Sequence, residues 1–184
     1  IVGLVSGYFG GVVDLSMQRV IDGLQAFPSL VLLLLIVQVF DEPPLWVTIA
    51  ALGLLGWAIN TRVIRSAVLA VRQQPYIEAA RSFGASDLRV MFQHVLPNIV
   101  APIIVIFSIG IGAYILAEAS LSFLGLGPAD QTTWGKMVNA GRNGLDLHPW
   151  ESLFAGAAIT LTVLGFNLAG DAIRDEFDPR LRGR

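Results

Sequence analysis

The chain contains no cysteine, which excludes disulfide bridges and thiolate metal sites and leaves the redox compartment open. Charge is scarce as well. Only 14% of the 184 residues are Asp, Glu, Lys or Arg, against about 25% in a soluble domain. With 54% hydrophobic residues and a mean hydropathy of +0.67, that shortfall indicates a membrane protein. Lysine is almost missing: Lys136 is the only one, in Gly135-Lys136-Met137. A P-loop needs Gly-Lys followed by Ser or Thr, so this chain cannot supply one and any ATP hydrolysis it depends on falls to another chain. His94 and His148 are the only histidines, and no HExxH or GxSxG accompanies them. A membrane-embedded enzyme therefore has no constellation to work with, and no catalytic or metal-ligating residue is assigned. There is no low-complexity segment, linker or clear internal repeat.

What is present is a series of apolar stretches. Residues 1–13 are apolar and glycine-rich but too short to cross a bilayer alone. They begin at an isoleucine, with no basic segment before it, and read as part of a span that starts upstream. A more polar connection runs from Asp14 to Gln25. A second span is expected from Leu24 to Phe40, stopped by Asp41-Glu42-Pro43-Pro44. A third apolar stretch starts at Leu45, and its helical pattern continues through Arg62 and Arg65 to about Gln73. A helix of that length measures about 43 Å, against about 30 Å of hydrocarbon, so it should project from the membrane. Arg62, Arg65 and Arg72 share its face, suited to lipid headgroups or to a partner subunit. Residues 99–117 form a fourth span, 125–150 a polar loop, and 153–169 a fifth span before a charged tail.

Arginine sets the orientation. One side of this topology holds Arg19, Arg62, Arg65, Arg72, Arg81, Arg89, Arg174, Arg180, Arg182 and Arg184. The other holds Lys136 and Arg142. The first side is expected to be cytoplasmic, and the two histidines then lie on opposite sides and cannot share a metal. The spans hold almost no ionisable group, whereas gradient-driven carriers keep an acid or base within the membrane. Glu118, at the outer end of the fourth span, is the one candidate, and solvation at the interface is the simpler explanation for it.

The longest polar interruption is residues 75–97, PYIEAARSFGASDLRVMFQHVLP. Pro75 suits a first helical position, and Glu78 favours the positive helix end. Ala79 and Ala80 add almost no side-chain bulk. Gly84 is a left-handed stop. Ser86 can cap a second helix with Asp87 in its first turn, and Pro97 should end that helix. The result is a helical elbow with a small-residue tip that another backbone can approach. A DNA-binding helix-turn-helix and a purely structural loop are the alternatives. Against the first, the elbow sits between two spans without a linker. Against the second, small residues stand where a solvated loop would carry larger polar ones.

Glu78-Ala79-Ala80, Gly84 and Leu96-Pro97 resemble the EAA signature of permease subunits of bacterial ABC importers, with His94 where the general signature prefers isoleucine. GASDLR followed by HVLPN, SGYFGGVVD, AEASLSFLGLG at 117–127 and FNLAGDAIRDEFDPRLR are similar to the dipeptide, oligopeptide and nickel branch. The resemblance implies an all-α polytopic membrane helix bundle of the type I ABC importer permease fold. Residues 1–184 would be one transmembrane domain, N-terminally truncated, with about five of six spans. It also implies that Glu78, Ala79, Ala80, Gly84, Ser86 and Asp87 couple to an ATPase. The implied partners are a homologous permease chain, two ATPase subunits that bind ATP and Mg, and an extracytoplasmic binding protein. Membrane lipid would surround the spans, and no nucleic acid is involved. The location would be the bacterial plasma membrane and the substrate a peptide or related small solute. The alternative is a channel or gradient-driven carrier whose cytoplasmic elbow binds a regulator.

Overall fold

Glycine and proline punctuate the first helices in a computed structural model that describes residues 1–40, 42–145 and 147–177. Glycine gives the first break: α1 (Val2–Phe9) stops at Gly10, whose φ is 68°, and α2 (Gly11–Gln25) restarts at once. Proline gives the second. Pro28 precedes α3 (Ser29–Gln38) in extended conformation, and α2 and α3 meet at 78°. The span expected from Leu24 to Phe40 is therefore not one helix. Proline disfavours helical backbone in the residue before it, and α3 has only ten residues, about 15 Å. Asp41 in the expected stop lies outside the described residues, as do the tail arginines Arg180, Arg182 and Arg184.

Where no breaker intervenes the helix runs on. α4 (Leu45–Arg72) has 28 residues and continues past its apolar half. α5 (Pro75–Ser82) and α6 (Asp87–Arg89) form the elbow. Beyond it the expectation fails, because Pro97 does not end the helix. A six-residue π-helical turn, Val90–Val95, leads directly into α7 (Leu96–Phe123). The Leu96 N–H bonds to the Met91 carbonyl five residues back. The wider turn makes room for a proline ring that would otherwise meet the preceding turn's carbonyl. The expected polar loop at 125–150 also holds structure: α8 (Trp134–Gly141) and a single 3-10 turn, Arg142–Gly144. α9 (Trp150–Phe177) closes the described chain.

All the regular elements among the described residues are helical. Among the described residues three helical stretches are long and apolar enough to cross a bilayer: Leu45–Arg72, Asp87–Phe123 and Trp150–Glu176. Counting the bent pair α2 and α3 makes four. The chain divides into two units, to both of which α4, α7 and α9 contribute. One comprises Ile1–Ala26, Trp57–Ile106 and residues from Ile173 on; the other comprises Phe27–Gly56 and Phe107–Ala172.

The first unit is built on a core of Leu4 and Tyr8 from α1, Val68 from α4, Ile77 from α5, and Val90, Met91, Val95 and Ile99. α1 lies flush on α4 through Gly3 and Gly7. A Cβ at Gly3 would stand 2.6 Å from the Thr61 carbonyl oxygen, and one at Gly7 would stand 3.0 Å from that of Arg65. Small residues four apart permit this approach of two backbones. The second unit centres on Leu33 and Val37 of α3, Ala51 of α4 and Leu121 of α7. In it, Gly135 sets α8 against α7, since a Cβ there would stand 2.4 Å from the Ala119 carbonyl oxygen.

Candidate functional site

The elbow forms as its residues dictate. Gln74 is extended, Pro75 opens α5, and Glu78 lies in the first turn. α5 ends in a Schellman arrangement. The Gly84 N–H bonds to the Arg81 carbonyl at 2.9 Å, and the Ala85 N–H bonds to the Ala80 carbonyl at 3.1 Å. Gly84 has φ of 80°, a backbone that side chains with a Cβ adopt at a cost. Ser86 caps α6 by accepting from the Arg89 N–H.

Ile77 is the elbow's anchor, fully buried in the first unit's core. Burying such a side chain contributes about 1.5–3 kcal/mol. Glu78 and Ala79 are exposed on the opposite face. Ala80 is not. It is half-buried and packs with Ala85 against the core, so its smallness serves the elbow's own closure. Gly84 is exposed, and an added Cβ would meet nothing within 4 Å. Ser86 and Asp87 are exposed beside it.

The most exposed large apolar side chain of the elbow was not singled out by sequence reasoning. Phe83, at the end of α5, is 92% exposed. It stands immediately before the glycine tip, with Leu88 exposed just beyond. Composition offered a signal, since Phe83 is the single large apolar residue between Ile77 and Leu88. Periodicity could not tell whether it faced the core or solvent.

One polar fastening holds the elbow's base to α1. Tyr8 is buried, and its hydroxyl donates to Asp87 Oδ1 at 2.7 Å. The Arg81 guanidinium lies 4.9 Å from the centre of the Tyr8 ring. One α1 side chain thus contacts both limbs of the elbow. Asp87 accordingly does more than favour its helix end: it ties the elbow to α1. Beside it, a fork between Arg65 and Asp14 ties α4 to α2. Arg65 Nε donates to Oδ1 at 2.6 Å and Nη2 to Oδ2 at 2.5 Å. The Ser6 hydroxyl donates to the same carboxylate. Such bidentate pairs are the stronger charge-assisted bonds.

The three arginines on the α4 face are therefore not simply headgroup contacts. Arg65 pairs with Asp14, Arg62 pairs with Asp22 at 2.5 Å, and Arg72 Nη1 donates to the Gly7 carbonyl at 3.4 Å. Lys136 is likewise engaged, donating to the carbonyls of Pro128 and Gln131. No group of three or more His, Asp or Glu residues that could hold a metal occurs among the described residues.

Known proteins match the chain over nearly all of its length. Residues 1–183 match the family model described as binding-protein-dependent transport system inner membrane component. A dipeptide transport system permease protein of Alkalihalophilus pseudofirmus is 41% identical over 98% of this chain and 59% of its own length. An oligopeptide transport system permease protein of Bacillus subtilis is 38% identical over 98% of this chain and 59% of its own. A glutathione transport system permease protein of Pectobacterium atrosepticum is 40% identical over 98% of this chain and 60% of its own. The chain spans about three-fifths of the length of these relatives.

Proposed function

The chain belongs to the family of binding-protein-dependent transport system inner membrane components, and on that premise we propose that it is the permease subunit of an ATP-driven importer of peptides or related small solutes. It is a multi-pass plasma-membrane protein of the permease fold. Residues 1–184 act as one transmembrane domain, with the arginine-rich side in the cytoplasm. The working partners are a homologous permease chain, two ATPase subunits and an extracytoplasmic binding protein. The ATPase subunits bind ATP and Mg. The relatives named for dipeptide, oligopeptide and glutathione transport support that substrate class. The family match leaves the channel or gradient-driven carrier without support.

The observation that carries the coupling role is the elbow's tip. Phe83 is exposed beside a glycine whose surroundings are empty, while Ile77 and Tyr8 anchor the base. A rigid base with a bare apolar tip fits insertion into a groove of a partner protein. Glu78, Ala79, Gly84, Ser86 and Asp87 flank Phe83 at that contact, and Ala80 supports it from beneath. Coupling then needs no chemistry in this chain: a domain movement in the ATPase pushes the elbow, and the base passes the push to α1 and α4.

The experiment replaces Phe83 with a photoreactive residue in the assembled transporter and identifies what it captures. Capture of a P-loop ATPase is expected. Capture of lipid alone, or of no P-loop protein, would defeat the coupling assignment.

A further inference from the structure

The second unit holds a cleft of about 550 Å³ between α7 and the start of α8, within the size range of small-ligand sites, roughly 300–1,000 Å³. Ile111, Tyr114, Ile115 and Glu118 supply one wall. Their i, i+3, i+4, i+7 spacing is a single stripe of α7. Trp134 and Met137 stand across from it on α8. Both walls are fixed by backbone-close packing. A Cβ at Gly56 would fall 1.6 Å from the Tyr114 hydroxyl, so that ring rests directly on α4. Gly135 holds α8 against Ala119 and Ser122 of α7.

Glu118 is the one carboxylate among the residues lining the cleft. It is half-buried, and its Oε1 accepts from the Ser122 hydroxyl at 2.5 Å. No Lys or Arg among the described residues forms an ion pair with it. Lys136 would be the obvious counter-ion from α8, but the carbonyls of Pro128 and Gln131 hold its ammonium. The cleft therefore presents one carboxylate without an ion pair among the described residues, in a lining that also holds Tyr114 and Trp134. A carboxylate in a cleft that also holds aromatic side chains is chemistry for a cation, and an ammonium group suits both the charge and the rings.

Resting on the reading of the chain as a peptide-importer permease, we infer that this cleft receives the terminal ammonium group of a peptide during passage, with Glu118 as its counter-ion and Trp134 as its apolar wall. Released from the binding protein, the peptide would meet a site that holds its charged end briefly. The hold should be loose, because a tight site would retain what the transporter must pass on.

The absence of cysteine makes the test direct. Met137→Cys places one thiol in the cleft, and Thr132→Cys places one at its rim as a second reporter. In the assembled transporter in nanodiscs, maleimide labelling of this chain is timed with alanyl-alanine or its N-acetyl derivative at millimolar concentration. ATP-driven uptake of alanyl-alanine is measured on the same transporter in proteoliposomes. Alanyl-alanine should slow labelling, and the N-acetyl derivative should not. Glu118→Gln should weaken that protection about fivefold, the scale of one charge contact. Equal protection by both peptides, protection by neither, or protection that survives Glu118→Gln would overturn the inference. If uptake by the unmodified transporter persists while protection fails, the cleft assignment falls and the permease reading stands. If the unmodified transporter takes up no peptide at all, both fall.

Discussion

Two helices in this protein end in the same way and lead to different ends. α5 stops at Gly84 and α7 stops at Gly125, with φ of 80° and 85°. Both use the Schellman pair of bonds: Ala85 to Ala80 and Gly84 to Arg81 in one, Leu126 to Leu121 and Gly125 to Ser122 in the other. Each motif packs its two flanking residues into its own unit's core, alanines in the first and leucines in the second. Past the glycine the two diverge. After Gly84 the chain restarts at Ser86, and a Cβ at the glycine would meet no described atom within 4 Å. After Gly125 a loop runs to Thr133 and is sewn down. The Ala129 N–H bonds to the Pro43 carbonyl at 2.8 Å, the Leu45 N–H bonds to Asp130 at 3.1 Å, and Lys136 clamps two further carbonyls. One local signal thus makes an exposed tip in one place and a structural corner, fixed by its neighbours, in the other.

The sharpest way to break this contrast is to place the same residue at both glycines. Gly84→Val and Gly125→Val each meet open space but a left-handed backbone, costing about 1–2 kcal/mol of local strain. At Gly84 a lost partner contact adds about 2 kcal/mol. The sum is a hundredfold or greater loss of ATPase association, at about 1.4 kcal/mol per factor of ten. Membrane levels of Gly84→Val should stay normal while transport is lost, and Gly125→Val should lower abundance while surviving protein stays coupled. Quantifying both chains and the co-purified ATPase decides the matter; equal loss of association in the two variants would erase the distinction.

Phe83→Ala comes next. Removing an exposed ring costs the isolated chain almost nothing, but loss of a hot-spot contact of about 2 kcal/mol weakens docking roughly thirtyfold. An ATPase titration against the purified permease should show that shift with no change in thermal unfolding. An unchanged titration would make the tip an ordinary exposed turn.

The second corner has its own test in Gly135→Val. Here the Cβ would stand 2.4 Å from a backbone oxygen that cannot step aside, and overpacking of this kind costs about 1–3 kcal/mol. Reduced abundance and a lower unfolding temperature are expected, with ATPase association per folded molecule preserved. Normal abundance would mean that α8 does not depend on this close approach.

The smallest effect belongs to Tyr8→Phe, which keeps the buried ring and its contact with Arg81 and removes only the bond to Asp87. A net hydrogen bond is worth about 1 kcal/mol, roughly fivefold. Transport per ATP hydrolysed should fall by about that factor with abundance unchanged, because the elbow's base loosens while its tip still docks. An unaltered ratio would show that the fastening does not transmit the push.

Much of the elbow was legible because its signals are local. Pro75 at a first helical position, Gly84 as the left-handed stop and Ser86 as the cap act through backbone geometry within a few residues. The run of α4 from Leu45 to Arg72 was readable for the same reason, since nothing after Leu45 interrupts a helical pattern. Pro97 misled because its rule is also local. A π-helical turn upstream relieved the clash and let the helix continue. The broken span at Pro28 was missed because apolar length outweighed a single proline.

The sequence by itself determined that this chain is a helical membrane protein, which stretch leaves the apolar pattern, and how that stretch turns. Those features come from residue type and short-range sterics. Only the tertiary structure decided that Phe83 faces outward while Ala80 faces inward. It alone brought Tyr8 to Asp87 across 79 positions and Arg65 to Asp14 across 51. It also put Glu118, Tyr114 and Trp134 in the lining of one cleft. Periodicity gives a helix its faces, but contacts between distant segments decide which face is covered and which charge meets a partner. Those contacts are fixed by packing volume and backbone approach, which no short window of sequence contains.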